Sequence, residues 1–143
     1  MISTATVAQS IIAALKADAG VVGALYPTGA TEVREESWMG TDYVYPCVRV
    51  YVTRLSPTGE SGICRDSAFD CDFNVSFRAA NPSSKPAADG VALVVAALAG
   101  KKLTGSGFVA RSAVHLQDVA GPVPESEHEW MARAFFNCQL QEV

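Results

Sequence analysis

Histidine is almost missing from this 143-residue chain: His115 and His128 are the whole supply. A nucleophile–base pair of the usual kind would have to use one of them. Neither stands beside a nucleophile motif, and no GxSxG string occurs. Positive charge is scarce as well. Lysine plus arginine is 11 against 15 aspartates and glutamates, a net charge of −4 and a pI near 5.1. That balance speaks against a nucleic-acid grip built on phosphate neutralisation. Metal ligands at short spacing are lacking: there is no CxxC or HxxxH pair, and Cys64 and Cys71 are seven apart. A phosphate-cradling loop is lacking too. Gly105-Ser106-Gly107 joins a predicted helix to a predicted strand, the reverse of the order a P-loop needs. No apolar run approaches the roughly 18–20 residues of a membrane span; the longest, Val91 to Ala99, is about half of that and rich in alanine. The first residues carry neither the basic flank nor the long apolar stretch of a secretory signal. The expectation is a chain without membrane, metal or cofactor.

What is present suits one packed core. Apolar residues make up 49% and charged residues 18%, so disorder of the whole chain is not expected, and the length predicts one domain over residues 1–143. The four cysteines, Cys47, Cys64, Cys71 and Cys138, read as small hydrophobes in a reducing compartment, with Cys71 and Cys138 on apolar strand faces.

Ser3 is placed to cap a first helix, in which Val7, Ala8, Ile11, Ile12 and Leu15 recur at spacings of three and four. A short turn with Val21, Val22 and Leu25 inward follows, ended by Tyr26-Pro27. Thr28 to Thr41 reads as a long connection with a short strand near Val33. Tyr43 to Leu55 is a strand led by Pro46, and Ser56 to Arg65 is turn chemistry. Ser67 to Arg78 alternates strictly, with Phe69, Cys71, Phe73, Val75 and Phe77 on one face and Asp70, Asp72, Asn74, Ser76 and Arg78 on the other. A second helix starts near Ser83–Ser84 and ends at Gly100, with Val91, Val94, Val95 and Leu98 as its stripe. Phe108 to Gln117 is a third strand. Asp118 to Glu127, with Gly121, Pro122 and Pro124, is an acidic loop. His128 to Gln141 is the last strand. The expected class is α+β: about four strands in a mainly antiparallel sheet, two helices packed on one face, and the order α-β-β-α-β-β.

Few polar groups converge. Asp70 and Asp72 share a strand face, which reads either as a carboxylate pair or as a solvated sheet face. The aromatics are more telling. Tyr43, Tyr45, Arg49 and Tyr51 share one face of their strand, and Met131, Arg133 and Phe135 sit among polar neighbours on theirs. Exposed aromatics mixed with arginine suit a protein interface; the other reading is a set of cross-strand pairs that cover themselves on a monomer.

In element order and composition the chain resembles the tail terminator, or tail completion, proteins of long-tailed bacteriophages. The resemblance rests on the alanine-rich opening helix Val7–Asp18, the Val21–Tyr26 turn, the proline-led strand Tyr45-Pro46-Cys47-Val48-Arg49-Val50, the alternating strand Asp70–Arg78, the helix Ala87–Leu98 and the closing strand Trp130–Leu140. Thr31–Asp42 and the tip around Ile63-Cys64 match nothing in it. It implies a homo-oligomeric ring, usually a hexamer, on the end of the tail tube in the virion neck, assembled in the host cytoplasm. The ring stops tube growth, docks the head-side connector and lets DNA cross its lumen without specific binding. No catalytic residue or cofactor goes with that role. Tyr43, Tyr45, Arg49, Tyr51, Met131, Arg133 and Phe135 are then candidate contacts between subunits or with partners. Glu32, Glu35, Glu36, Asp118, Glu125 and Glu127 are candidates for the lumen or for charge pairing with a neighbour. The alternatives are another neck component, a head-closure or tail-tube protein, or a small cytosolic ligand-binding or enzymatic α+β domain.

Overall fold

Ser3 opens the first helix as its position predicts. Its backbone is extended and its Oγ accepts a hydrogen bond from the Thr6 amide at 3.2 Å, satisfying one of the donors a helix start leaves over. Helix α1 (Thr4–Lys16) buries Val7, Ala8, Ile11, Ile12 and Leu15. Asp18 caps the short helix α2 (Ala19–Ala24) through its carboxylate and the Val21 amide. A 3₁₀ turn (Ala30–Glu32) leads to strand β1 (Val33–Glu35), and strands β2 (Cys47–Pro57) and β3 (Ala68–Ala80) follow. Helix α3 (Lys85–Leu98) takes Pro86 in its first turn. Strands β4 (Thr104–Gly105), β5 (Phe108–Ala110), β6 (His115–Ser126) and β7 (Glu129–Glu142) complete the chain. The computed structural model describes residues 2–37, 43–58 and 68–143. Asp42, most of the expected Ser56–Arg65 turn and Cys64 lie outside the described residues.

The α+β class holds, but among the described residues the sheet has seven strands, not about four. Its order is β1-β2-β3-β7, after which the free edge of β7 is shared: β6 pairs with its first half and β5, then β4, with its end. Among the described residues only β1 runs parallel to its neighbour, and every other pair is antiparallel. Two expectations need correction. The strand expected over Phe108–Gln117 breaks, because the Arg111 and Ser112 amides turn back to the Gln139 carbonyl. The segment Asp118–Glu127, expected as a loop, lies almost wholly within β6. Its prolines sit on an outer strand, where a missing ladder donor costs nothing.

Period two does the rest. The inner face of the sheet carries Val48, Val50 and Val52 of β2, Phe69 to Phe77 of β3 at alternate positions, and Ala132, Ala134, Phe136, Cys138 and Leu140 of β7, all buried. Large stands opposite small across β3 and β7: Phe77 faces Ala132 and Val75 faces Ala134. Phe73 and Phe136 stack with ring centroids 5.1 Å apart. Helix α3 lies so close to Phe77 that a Cβ on Gly90 would come within 2.3 Å of its ring. Each fully buried phenylalanine or leucine contributes about 2–3 kcal/mol. Helices α1 and α3 both pack on this one face, as the two apolar stripes predict.

Candidate functional site

The other face of the sheet is where the structure departs from a plain solvated surface. Arg49, Asn74, Ser76 and Arg78 point away from the helices, yet all four are buried. Successive cross-strand rows order the face. One row holds Cys47, Arg78, Met131 and Val123; the next Arg49, Ser76, Arg133 and Ala120; the next Tyr51, Asn74, Phe135 and Asp118; and the next Arg54, Asp72, Asn137 and His115.

Arg49 is 2% exposed. Its Nη1 donates to the Glu32 carbonyl at 2.7 Å and its Nη2 to Glu32 Oε1 at 3.3 Å. Arg78 is the centre of a wider cluster. Its Nε donates to Glu125 Oε1 at 3.1 Å, its Nη1 to Ser76 Oγ at 2.7 Å and its Nη2 to Glu36 Oε1 at 3.3 Å. The centre of the Tyr43 ring lies 4.3 Å from the Arg78 guanidinium and 5.4 Å from that of Arg49. Tyr43 also donates to Glu36, and Tyr45 donates to Glu129 Oε2 at 3.0 Å. Burial works against the Arg78 charge, but Glu36 and Glu125 outweigh it and hold its pKa above the ordinary value. Burial, with these carboxylates, pushes both tyrosine phenols up, and burial raises the Cys47 thiol to about 11. One arginine on a central strand therefore fastens three separate stretches of chain: the segment after β1, the approach to β2, and β6.

Further along the face, Arg54 bridges the two aspartates, donating from Nε to Asp72 at 2.8 Å and from Nη2 to Asp70 at 2.6 Å. Asn137 Nδ2 donates to the remaining oxygens of both, at 2.8 and 2.9 Å. The Asn137 hydrogen bond first, and then Arg54, hold the Asp72 carboxyl below the usual range. The pair exists, and all four of its carboxylate oxygens are engaged by Arg54 and Asn137.

Of the residues singled out for contact, Arg49 is the exception: it is buried and bound, so its guanidinium is not presented to a partner. Tyr43 and Tyr51 are exposed at 40% and 50%. Tyr45, Met131, Arg133 and Phe135 are half-buried. Among the described residues the buried Arg133 Nε has no hydrogen-bond partner. The acidic residues divide. Glu32 is buried against Arg49, Glu36 binds Arg78, and Glu35 accepts from Gln9 and Ser37. Asp118 and Glu127 belong instead to β6 and its tip, where they are exposed, while Glu125 of β6 binds Arg78. Arg78, Ser76 and Asn74 were not marked by the sequence, because strict alternation reads as one wet face whatever lies above it.

β6 is unusual in itself. Ten of its twelve side chains are exposed, on both faces, and only Leu116 and Pro122 are half-buried. It is an outer strand on the first half of β7, whose other edge pairs with β3, and the turn between β6 and β7 carries Glu127 and His128, tied down by the Asn81 amide to the His128 carbonyl. His128 Nε2 stands 3.5 Å from Glu127, and His115 is exposed at the end of its row. Neither histidine meets a hydroxyl or thiol among the contacts of the described residues. Cys71 and Cys138 are directly opposite across β3 and β7, both buried, and the Cys71 thiol is raised by its contact with Cys138 and by burial. Among the described residues no cluster of three or more metal-ligating side chains occurs, and no helix is long and apolar enough to cross a membrane.

No family model matches the chain, and no curated protein matches it in sequence. Solved structures do match in fold. A chain of the virion of a native gene transfer agent (GTA) particle superposes with a TM-score of 0.73 and 16% identity, over 99% of this chain and 99% of that one. A second solved structure superposes with a TM-score of 0.59 and 15% identity, over 94% of this chain and 96% of that one.

Proposed function

We propose that the chain is a structural subunit of a phage-like particle, and within it a tail terminator. In this reading identical copies close into a ring, six in the usual case, that caps the tail tube, ends its growth and docks the head-side connector. DNA passes through the lumen unbound. The protein acts by shape, binds no cofactor and catalyses nothing. It is assembled in the host cytoplasm and resides in the neck of the virion.

The observation that carries this reading is the end-to-end likeness in fold to a chain of the GTA virion particle, 99% of both chains. The surface agrees with it. The exposed aromatics Tyr43 and Tyr51 and the exposed outer strand β6 are what an assembling subunit offers its neighbours. Cryo-microscopy of intact particles tests the proposal: density for the chain is expected as a closed ring between the tail tube and the head-side connector. Particles made without it are expected to carry tails of uncontrolled length. Density along the tube, at the head side only, or nowhere in the particle overturns the terminator role.

A further inference from the structure

We propose that Cys71 and Cys138 are a redox pair, free thiols in reducing surroundings and a cross-strand disulfide once the chain meets an oxidising medium. The proposal needs only the fold of one chain and stands apart from the ring reading. The two residues are direct partners in the register of β3 and β7. Both are free thiols on the inner face, exposed at 0% and 1%, and the Cys71 thiol is in hydrogen-bond contact with Cys138. The Cα atoms of directly opposed antiparallel residues lie about 4.5–5.5 Å apart, inside the ~4.4–6.8 Å that a disulfide spans. The pairing runs unbroken from Ala68 to Ala80, so the strands cannot slip and carry the two sulfurs apart.

The surroundings favour a bond between the two sulfurs over other uses of a thiol. The rows on either side, on the same face, pair Phe69 with Leu140 and Phe73 with Phe136, and Leu55 stands opposite Cys71 on β2. No base stands in those rows, and among the described residues no third metal ligand joins the pair. A thiolate is poorly held there, and its contact with Cys138 together with burial raises the Cys71 thiol. Exchange is therefore slow in the folded chain and confined to moments of local opening. The nearest way in is at Cys138. On the outer side of β7, β5 ends opposite Leu140 and β6 begins opposite Asn137, which leaves Cys138 at the break between them. The oxidant is a small organic disulfide. The Cys138 thiolate attacks one of its sulfurs and expels a first small thiolate, which takes the proton from Cys71. The Cys71 thiolate then attacks Cys138 Sγ in the mixed disulfide and expels a second, which takes the proton that Cys138 gave up. Two protein thiols and one small disulfide become one protein disulfide and two small thiols. Opposed Cβ atoms sit about 4.5–5.5 Å apart, beyond the ~3.8 Å mean of disulfides. Closure must draw the strands together, and a bond strained in that way is readily reduced again. The pair thus answers to the difference between a cytosolic and an extracellular thiol balance.

A redox titration tests it. The full chain carrying Cys64→Ser is equilibrated in buffers of reduced and oxidised glutathione, quenched with acid, unfolded, alkylated and digested. In reducing buffer Cys71 and Cys138 are both expected to be alkylated. In oxidising buffer they are expected as one linked pair of peptides, with Cys47 alkylated in either case. The link closes a loop of roughly 70 residues. The folding equilibrium of the oxidised chain is expected to be more favourable on the order of a hundredfold, read as a rise in the urea midpoint that dithiothreitol reverses. Cys71→Ala and Cys138→Ala, each alone, are expected to show the same urea midpoint in both buffers. Thiols that stay alkylatable in oxidised glutathione overturn the proposal, and so does a glutathione adduct that persists on either cysteine of the intact pair. A link that forms only in urea, one that lowers the urea midpoint, or one that survives in reducing buffer overturns it as well.

Discussion

Arg78 shows how one residue turns a polar sheet face into a joint. Its guanidinium is 4% exposed while Glu36 and Glu125, its two partners, are each 28% exposed. The planar fork matters here, since separate nitrogens reach a hydroxyl and two carboxylates in different directions. Arg78→Met leaves both carboxylates facing an apolar stub, and about 2–4 kcal/mol of unfolding free energy is expected to go, measured by urea titration. Arg78→Lys is expected to recover only part of it, because a single ammonium cannot hold both carboxylates. The aspartate pair makes a prediction about acid. Asp72 titrates lower in the folded chain than in the unfolded one, where aspartate titrates near ~3.9. A depressed folded pKa contributes stability that is present above the unfolded value and lost as pH falls through the folded value. Asn137→Ala removes the largest cause of that depression. The midpoint of acid unfolding, followed by circular dichroism, is expected to move to higher pH, with stability near neutrality falling as well through the lost hydrogen bonds.

At the scale of elements, β6 carries the main lesson. Gly121 has a φ of +91°, and a Cβ there would meet the Met131 carbonyl oxygen at 2.8 Å and the Val123 amide nitrogen at 3.1 Å. Gly121→Ala is expected to cost about 1–3 kcal/mol. The loss is confined to β6, so hydrogen exchange quickens over His115–Ser126 while β2 and β3 keep their protection. The same glycine and its neighbouring prolines hid the strand from sequence reasoning. Gly121, Pro122 and Pro124 are turn chemistry, and only the long partner strand β7, far richer in pattern, turns them into a bulged edge. The elements that were legible are those whose periodicity is decided by one core: α1 and α3 by their stripes, β3 and β7 by strict alternation. The short strand expected near Val33 is β1, Val33–Glu35, but β4 was not legible, since a two-residue strand holds no period to read. The candidate site divides the same way. Tyr43 and Tyr51 stand exposed as the alternation predicts, but Arg49 does not. The carboxylate that buries it, Glu32, arrives on a 3₁₀ turn that no pattern announces.

At the scale of the whole molecule, the weak net charge conceals a division. Arg49 and Arg78 are buried against Glu32, Glu36 and Glu125, and Arg54 is held on the sheet face by Asp70 and Asp72. What remains exposed is acid at Asp118 and Glu127 and lysine at Lys101 and Lys102, charges that composition alone averages away. Such exposed charges act through solvent, and their attraction is set by screening. The Debye length shrinks from about 10 Å at 0.1 M salt to about 3 Å at 1 M. Sedimentation velocity is therefore expected to show self-association weakening steeply as sodium chloride rises over that range, while the melting temperature of the isolated fold, held by a buried apolar face, moves little. Apolar contact through Val119 and Val123 alone would behave in the opposite way, since salts that strengthen burial would strengthen assembly. Association that is indifferent to salt, or grows with it, assigns the contact to those valines and removes charge as the element that selects the neighbouring surface.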